Sequence, residues 1–344
     1  MTRWVVILAG GIGSRFWPLS TPDRPKQLLP LVGDEPMLVA TVRRVRAIAG
    51  IERTLILTNA SLRTAILEAL PDLPPDNVLV EPAPAGTAAA LTWAAVEIAR
   101  RDRRDATMLS VHADWAIGDE PGFQRALTDA ATLAERERVL VTVGIVPTRN
   151  DPGFGYIMPA AGGGSGPQRV ARFIEKPDRE RARQLISEGA LWNSGLFAWR
   201  VDDFLDEIAA HTPEIAPAVR SASADATQFF AAVRPISVDH GVMERSARVM
   251  VLPGRFGWDD VGTWAALSRV RSRDTAGNAV QGQAVLREAT NNVVHAEGAG
   301  TVVLYGVDGL VVVTKPGITF ITTIDRAADL KPLVEGLPTE LKWG

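Results

Sequence analysis

The chain has 344 residues, of which 46% are hydrophobic and 22% are charged. This composition is typical of a folded globular protein of about two domains and excludes a disordered one. The net charge of -3 and the pI of about 5.9 exclude a basic field that would recruit nucleic acid or an anionic membrane. The absence of cysteine excludes disulfides, thiolate metal sites and a cysteine nucleophile.

The N-terminus leads directly into a short apolar run at residues 4–9. The run is too short for a membrane span and lacks the cleavage site of a signal peptide. The four histidines show no metal-ligand spacing. We therefore predict a cytoplasmic protein with neither a nucleic-acid nor a membrane partner.

Short apolar runs alternate with helical patterns over the first two-thirds of the chain. Such runs are typical of strands buried on both faces. The predicted strands are residues 5–9, 54–58, 77–80, 107–111 and 139–146. The predicted helices are 37–49, 61–70, 87–101 (with Thr87 as N-cap) and 121–138. This alternation predicts an α/β fold with a Rossmann-like mixed, mostly parallel sheet that is flanked by helices and binds ligands beyond the carboxyl ends of its strands.

The pattern changes after about residue 150. We predict a hairpin tip at 162–166, a strand at 169–175 and a charged helix at 178–189. From about residue 278, short β-branched runs broken by Gly and Asn predict a small β domain with a helix at 326–334. We therefore expect one domain over residues 1–273 and a second over 274–344.

A glycine-rich loop, Leu8-Ala9-Gly10-Gly11-Ile12-Gly13-Ser14-Arg15, follows the first strand. Phe16 replaces the third glycine of a dinucleotide fingerprint, and the lysine of a Walker loop is missing. The backbone of such a loop can approach phosphate closely, and Arg15 adds a guanidinium fork. Lys26 adds a compact cation. The alternative interpretation is a tight strand–helix turn with two surface cations.

The longer string, which includes Trp17-Pro18 and Pro25-Lys26-Gln27, resembles the signature of sugar-1-phosphate nucleotidylyltransferases, in their mannose-1-phosphate guanylyltransferase (GDP-mannose pyrophosphorylase) branch. The resemblance implies a GT-A-like nucleotidyltransferase domain and a C-terminal domain like a left-handed β-helix. It also implies that GMP is transferred from GTP to α-D-mannose 1-phosphate with Mg²⁺ as cofactor. The relatives often pair subunits, so the resemblance implies a homodimer.

Later segments carry the same resemblance in the same order. The family's nucleotide-binding residues correspond to Leu8, Ala9, Gly10, Gly11, Gly13, Ser14, Glu81, Gly86 and Thr87. Its sugar-phosphate-binding residues correspond to Gly155, Glu175, Lys176 and Asn193. Its catalytic residues correspond to Arg15, Lys26, Asp114 and Asp260, and the two aspartates are the implied metal ligands.

Three positions depart from the family pattern: Gly86, where the family more often has Asn, His112, where it often has Pro, and Trp115, where it often has His. Of the neighbouring residues, we expect Trp192 and Phe197 to lie in the core. Asp239 is expected to support the residues around it, and Asp259 is not expected to bind metal.

Three alternatives stay open at this point. The first is a nucleotidylyltransferase that uses another nucleotide or another sugar 1-phosphate, such as a manno-heptose phosphate, and the departures at Gly86 and Trp115 keep it open. The second is a non-catalytic paralogue that binds a nucleotide or nucleotide sugar and regulates a partner. The third is a Rossmann oxidoreductase, against which Phe16 and Lys26 argue.

Overall fold

The structure is a computed structural model that describes residues 1–11, 14–160, 166–220 and 225–342. The chain forms two compact units, each assembled from three stretches. The first unit contains Met1–Gly10, Val42–His112 and Asp119–Trp258, and the second contains Gly11–Thr41, Ala113–Gly118 and Asp259–Gly344. The predicted boundary near residue 273 divides the chain in sequence order and stays a prediction.

The strands and helices of the described residues are numbered in chain order. The strands are β1 (Arg3–Leu8), β2 (Thr54–Asn59), β3 (Val78–Glu81), β4 (Thr107–His112), β5 (Ala116–Ile117), β6 (Leu140–Ile145), β7 (Tyr156–Pro159), β8 (Gln168–Ile174), β9 (Leu191–Arg200), β10 (Val249–Gly254), β11 (Trp258–Asp259), β12 (Ala279–Gln281), β13 (Ala284–Arg287), β14 (Val293–Ala296), β15 (Val302–Tyr305), β16 (Leu310–Lys315) and β17 (Ile318–Thr323). The helices are α1 (Met37–Ala49), α2 (Arg63–Ala69), α3 (Gly86–Arg101), α4 (Glu120–Glu137), α5 (Arg179–Ser187), α6 (Val201–His211), α7 (Ala216–Arg220), α8 (Ala226–Ala231), α9 (Leu267–Val270), α10 (Lys331–Gly336) and α11 (Thr339–Lys342).

The first unit is built on a mixed sheet. Its strand order among the described residues is β3-β2-β1-β4-β9-β6-β10-β8-β7. Strands β1 to β4 pair in parallel, whereas β9 runs antiparallel to both β4 and β6. The register aligns Leu8 with His112 and Asn59 with Glu81, so the loops that follow β1 to β4 emerge at one edge of the sheet. The predicted α/β class is confirmed.

Apolar burial explains why these strands form. Residues 4–7 of β1 are buried without alternation, as expected of a strand covered by helices on both faces. The alanine-rich face of α3 packs in the same core as Trp199 and Phe204, whose rings stack with centroids 4.2 Å apart. Trp192 and Phe197 are also fully buried, which confirms their predicted place in the core.

Most of the predicted elements lie within two residues of their observed bounds, but two details were wrong. Helix α3 starts at Gly86, after Ala85, so Thr87 is not its N-cap. The helix predicted at 326–334 is split into a 3-10 turn, Arg326–Ala328, and α10, because Asp329 between them adopts extended backbone angles. The predicted hairpin tip at 162–166 falls mainly on residues outside the described part of the chain.

The second unit contains stacked parallel strands. Strands β12, β14 and β16 pair in parallel, and so do β13 and β15. The side chains of Asn278 and Asn292 link successive turns, because the Asn292 amide donates to Asn278 Oδ1 (2.9 Å) and Leu310 N donates to Asn292 Oδ1 (2.8 Å). This repeat has the form of a β-helix, as predicted for the C-terminal region.

Every helix in the part of the chain that the structure describes falls short of the length and apolar character that a membrane span requires.

Candidate active site

The loop after β1 belongs to the first unit as far as Gly10. Ala9 uses its main chain inside the sheet: its N–H donates to Leu57 O (2.8 Å), and its carbonyl accepts from Thr58 Oγ1 (3.1 Å). Leu8 is the last residue of β1. Leu8 and Ala9 therefore fix where the loop begins, and Gly10 is the first exposed residue that can offer backbone to a ligand.

Glu81 lies at the carboxyl end of β3, against the glycine loop. A Cβ at Gly10 would lie 3.8 Å from Glu81 Oε1, so the carboxyl group faces the Gly10 backbone. Burial raises the pKa of Glu81 to about 7. Because an ionised carboxylate loses hydrogen bonds from water at this site, a ligand that donates hydrogen bonds to it would replace them.

Gly86 and Thr87 form the first turn of α3, which is fastened to the segment around Ile236. Ala88 N donates to Ile236 O (3.2 Å), and Val238 N donates to Thr87 Oγ1 (2.9 Å). Gly86 has φ +79, and a Cβ there would lie 2.3 Å from Ile236 O. The close backbone therefore explains why glycine stands at this position.

A second group of predicted residues lies together in the first unit. Asn193 N donates to Gly155 O (2.8 Å), and a Cβ at Gly155 would lie 2.7 Å from Glu175 Oε2. Glycine at 155 therefore leaves room for the Glu175 carboxylate beside Asn193. Lys176, which has φ +41, is exposed and lies 3.3 Å from Glu175 Oε1. Because an exposed ion pair of this kind contributes little, the lysine can exchange it for a phosphate.

Asp239 joins this group and was not among the predicted ligand-binding residues. Asn193 Nδ2 donates to Asp239 Oδ1 (2.7 Å), and Asn193 Oδ1 accepts from Gly195 N (3.2 Å). Burial raises the pKa of Asp239, and the Glu175 charge adds to this effect. The fixed Asn193 amide keeps one N–H and one lone pair for a ligand. We refer to Gly155, Glu175, Asn193 and Asp239 as the carboxylate pocket.

The second unit brings Lys26, Asp114 and Asp260 together. Lys26 is only 6% exposed, and its Nζ donates to Asp114 Oδ2 (2.8 Å) and to the main-chain oxygen of Asp260 (2.6 Å). The two aspartates are far apart in sequence, yet both contact one ammonium group. We refer to these three residues as the lysine cluster.

The turn after Asp260 is strained and is held by Asp259. Val261 is a buried, β-branched residue with φ +47, a conformation that such residues rarely adopt. Asp259 accepts from Val261 N (2.9 Å) and pairs with Arg269 (2.9 Å). The Asp259 carboxylate is therefore used to shape the turn, and its exclusion as a metal ligand stays a prediction.

Arg15 lies in the 3-10 turn Ser14–Phe16 and is exposed. Phe16 packs on Trp264 with ring centroids 5.1 Å apart, and Trp264 Nε1 donates to Trp17 O (2.9 Å). These buried aromatic residues anchor the turn, whereas Arg15 stays on the outside. Gly11 is exposed, with open space beside its Cα, and Gly13 lies outside the described residues.

The donors of the lysine cluster suit a hard cation. Among residues 1–11, 14–160, 166–220 and 225–342, no group of three acidic, histidine or cysteine side chains could hold a metal ion. Mg²⁺ does not require such a cage, because it commonly binds one or two carboxylates and completes its shell with phosphate and water. Asp114 and Asp260 therefore fit Mg²⁺ that arrives with a polyphosphate.

Comparisons with known proteins show the family to which the chain belongs. A family model described as nucleotidyl transferase matches residues 4–277. The xanthan biosynthesis protein XanB of Xanthomonas campestris pv. campestris (strain B100) is 38% identical over 342 residues, which cover 96% of this chain and 72% of that protein. A mannose-1-phosphate guanylyltransferase of Klebsiella pneumoniae is 36% identical over 348 residues, with coverage of 96% and 73%.

A solved structure from Thermus thermophilus, named mannose-1-phosphate geranyltransferase, matches the fold with a TM-score of 0.88 at 33% identity. The match covers 97% of this chain and 99% of that one. The family match at 4–277 includes the lysine cluster and the carboxylate pocket.

The contact between Gly86 and Ile236 predicts an asymmetry between two glycines. Gly86→Ala adds both left-handed strain and a clash with backbone, whereas Gly189→Ala adds the same strain at φ +88 with nothing within 4 Å. We expect Gly86→Ala to lower the free energy of unfolding by about 1–3 kcal/mol more than Gly189→Ala. Urea unfolding of both variants measures this, and equal losses would contradict the contact.

The raised pKa of Glu81 predicts a pH effect on stability. Between the ordinary value of 4.5 and about 7, the folded chain holds a proton on Glu81 that the unfolded chain has lost. The free energy of unfolding that this group contributes therefore falls as the pH rises through that range and is level above it. We expect Glu81→Gln to remove this fall.

Urea unfolding at several pH values from 4 to about 8 measures the difference between Glu81→Gln and wild type. The matched control is Glu180→Gln, because the Glu180 side chain is 80% exposed. A difference for Glu81→Gln that stays constant with pH, like that of the control, would show that Glu81 is not desolvated.

Proposed function

Because the chain belongs to the nucleotidyl transferase family, we propose that it transfers GMP from GTP to α-D-mannose 1-phosphate, giving GDP-mannose and pyrophosphate. The Klebsiella pneumoniae relative named mannose-1-phosphate guanylyltransferase supports the choice of base and sugar. The observation that carries the chemistry is the lysine cluster, in which a buried ammonium group contacts the Asp114 carboxylate and the main-chain oxygen of Asp260. Such a cluster suits the binding of a polyphosphate with its cation.

The reaction joins two anions and needs no covalent nucleophile from the protein. A phosphate oxygen of the sugar phosphate attacks the α-phosphorus of GTP in line, and the bond from that phosphorus to the bridging oxygen breaks to release pyrophosphate. Two unit charges about 4 Å apart repel by roughly 4 kcal/mol at an effective dielectric constant near 20. The protein must therefore supply positive charge and fixed geometry.

The cations of the chain take separate roles in this proposal. Arg15 and the backbone of Gly10, Gly11, Gly13 and Ser14 bind the triphosphate, and Lys26 neutralises charge that develops during transfer. Asp114 and Asp260 would hold Mg²⁺, which supplies further positive charge at the phosphates. The Asp114 carboxylate also keeps the Lys26 ammonium oriented in the free enzyme.

The carboxylate pocket is the proposed site for the sugar. Glu175 and Asp239 accept hydrogen bonds from sugar hydroxyls, and Asn193 uses its remaining N–H and lone pair for the same purpose. Gly155 provides space for the Glu175 carboxylate. Lys176 leaves its exposed contact with Glu175 and binds the sugar phosphate.

The base is proposed to lie between Gly10 and the start of α3. The Glu81 carboxylate would accept from the two adjacent N–H groups of guanine, which adenine does not offer. Gly86 and Thr87 lie beside the base at the start of α3. Leu8 and Ala9 support the glycine loop and do not contact the base. Because Ala88 N already donates to Ile236 O, the base is recognised by Gly86 and Thr87, the residues that precede it in the turn.

The remaining parts of the proposal concern organisation and setting. We propose that residues 1–273 act as the catalytic domain and residues 274–344 as a β-helix-like domain. We also propose a cytoplasmic location and a homodimer, as the resemblance implies.

A substrate panel tests the function. Pyrophosphate release is measured with GTP, ATP, UTP and dTTP, each against mannose, glucose and manno-heptose 1-phosphates. We expect GTP with mannose 1-phosphate to give a kcat/KM at least about 10-fold above every other pair, because buried hydrogen-bonding sites reject ligands that leave them unpaired. A preference for manno-heptose 1-phosphate would show that this compound, and not mannose 1-phosphate, is the substrate. Binding of GTP or GDP-mannose without turnover by any pair would identify a non-catalytic paralogue.

The two aspartates of the lysine cluster should be needed for turnover. We expect Asp114→Asn and Asp260→Asn each to lower kcat by at least about 100-fold, because charge stabilisation at the transferred phosphate is lost. Circular dichroism checks that both variants remain folded. Asp23→Asn is the matched control, since Asp23 is exposed in the same unit. Near-normal turnover in both variants would overturn the metal assignment.

A further inference from the structure

The short segment that carries Lys26, residues 24–33, is tied to the β-helix-like strands of its own unit at several points. We refer to it as the lysine segment. Gln281 Nε2 donates to Pro30 O (2.9 Å) and to Gly33 O (3.2 Å). Arg271 Nε donates to Leu31 O (2.7 Å). These bonds hold the C-terminal end of the segment.

Arg271 is an unusual anchor because its charge is buried. The residue is 9% exposed, and burial lowers its pKa to about 10. Besides Leu31 O, its guanidinium donates to Val294 O (3.3 Å) and to His295 Nδ1 (2.8 Å). None of these three acceptors carries a formal charge. Placing a cation there is costly, so a purely structural purpose is a weak explanation for it.

The network continues from Arg271 to the other end of the lysine segment. An arginine can only donate, so Nδ1 of the buried His295 is the acceptor and Nε2 carries the hydrogen. Nε2 lies 3.7 Å from Glu297 Oε1. The Glu297 carboxylate accepts from both Nη atoms of Arg24, at 3.2 and 3.3 Å. These side chains form a series of contacts from Leu31 to Arg24, in which the step from His295 to Glu297, at 3.7 Å, is longer than a hydrogen bond. Lys26 lies between Arg24 and Leu31 in sequence.

The lysine segment has little local structure to fix Lys26 by itself. Lys26 begins a single 3-10 turn, Lys26–Leu28, and no side chain caps it. Within the turn, Leu28 N donates to Pro25 O (2.9 Å) and Leu29 N donates to Lys26 O (3.0 Å), and Met37 N at the start of α1 donates to Leu29 O (3.2 Å). Support from outside the segment is therefore what holds the ammonium in place.

We propose that Arg271, His295 and Glu297 are positioning residues, which fix both ends of the lysine segment and so hold Lys26 Nζ at Asp114 and the Asp260 carbonyl. The inference rests on the proposed function only for what Lys26 does. A displacement of about 1 Å in a group that acts on the transition state costs up to about 100-fold in rate. The β-helix-like strands thus contribute to the reaction without touching a substrate.

Substitutions at both ends of the network test the proposal in the full chain. We expect Glu297→Gln and Arg24→Gln each to lower kcat about 10- to 100-fold with little change in either KM, as for a contact made in the transition state. The double variant should lose no more than the stronger single variant, because both break one contact. Glu335→Gln, which breaks the exposed pair with Lys331, is the control and should keep the wild-type kcat.

The histidine offers a rescue experiment. His295→Leu removes both the acceptor for Arg271 and the donor that faces Glu297, whereas His295→Gln keeps one of each. We expect His295→Gln to retain at least about a third of the wild-type kcat and His295→Leu to lose at least about 10-fold. If His295→Leu does not fold, Glu297→Gln and Arg24→Gln still decide the matter, since the Arg24 and Glu297 side chains are 47% and 24% exposed.

Amide hydrogen exchange separates this inference from the proposed function. In Glu297→Gln, the amides of Leu28 and Leu29 should exchange at least about 10-fold faster than in wild type, while those of β1 stay unchanged. Hydrogen exchange needs no substrate. Inactivity of the wild-type chain would therefore contradict the proposed function but not the positioning role. Unchanged exchange in the lysine segment, or a wild-type kcat in Glu297→Gln, would overturn the positioning role.

Discussion

The buried ammonium of Lys26 ties together distant stretches of chain in the second unit. A lysine that is 6% exposed would be costly without partners, and here it is satisfied by a carboxylate and a main-chain carbonyl from two distant parts of the chain. The cluster fixes Asp114 and Asp260 at the same place. It also explains why the turn at Val261 tolerates an unfavourable conformation, since that turn presents the Asp260 carbonyl.

Each of the two units carries its own group of polar side chains. The first provides a carboxyl-lined pocket and the start of α3, which suit neutral, hydrogen-bonding parts of a ligand. The second provides the lysine cluster, which suits phosphate and its cation. Each unit is made of separated stretches of chain, so neither set of residues is continuous in sequence. In the proposed positioning network, contacts that run from Arg271 to Arg24 specify the position of Lys26.

Much of the first unit could be predicted because its signals are local. The bounds of α1 and the end of β1 follow from apolar runs and from the glycines after Leu8. Lys26, Asp114 and Asp260 were identified through motifs, but their meeting at one ammonium group is a tertiary contact that no local pattern encodes. The antiparallel insertion of β9 between β4 and β6 was missed for the same reason.

Other features could not be predicted because they depend on contacts with a segment that is distant in sequence. Thr87 has the side chain of an N-cap, yet Val238 N uses its hydroxyl and the helix starts one residue earlier. Asp239 joins the carboxylate pocket through Asn193, which is 46 residues away in sequence. A weak signal for Asp239 existed in its family-like segment, but only the folded chain shows its neighbours. Gly86 reads as a departure from a motif until the Ile236 carbonyl is seen beside it.

The pairing of that helix start with Ile236 limits how the proposed base site can be redesigned. The backbone at Gly86 and the backbone at Ile236 are so close that a larger side chain at residue 86 fits only if the segment 236–238 moves away. Residues 85–88 and 236–238 consequently form one transplantable module. Replacing the start of α3 with the corresponding turn of another enzyme therefore requires that both segments be exchanged together.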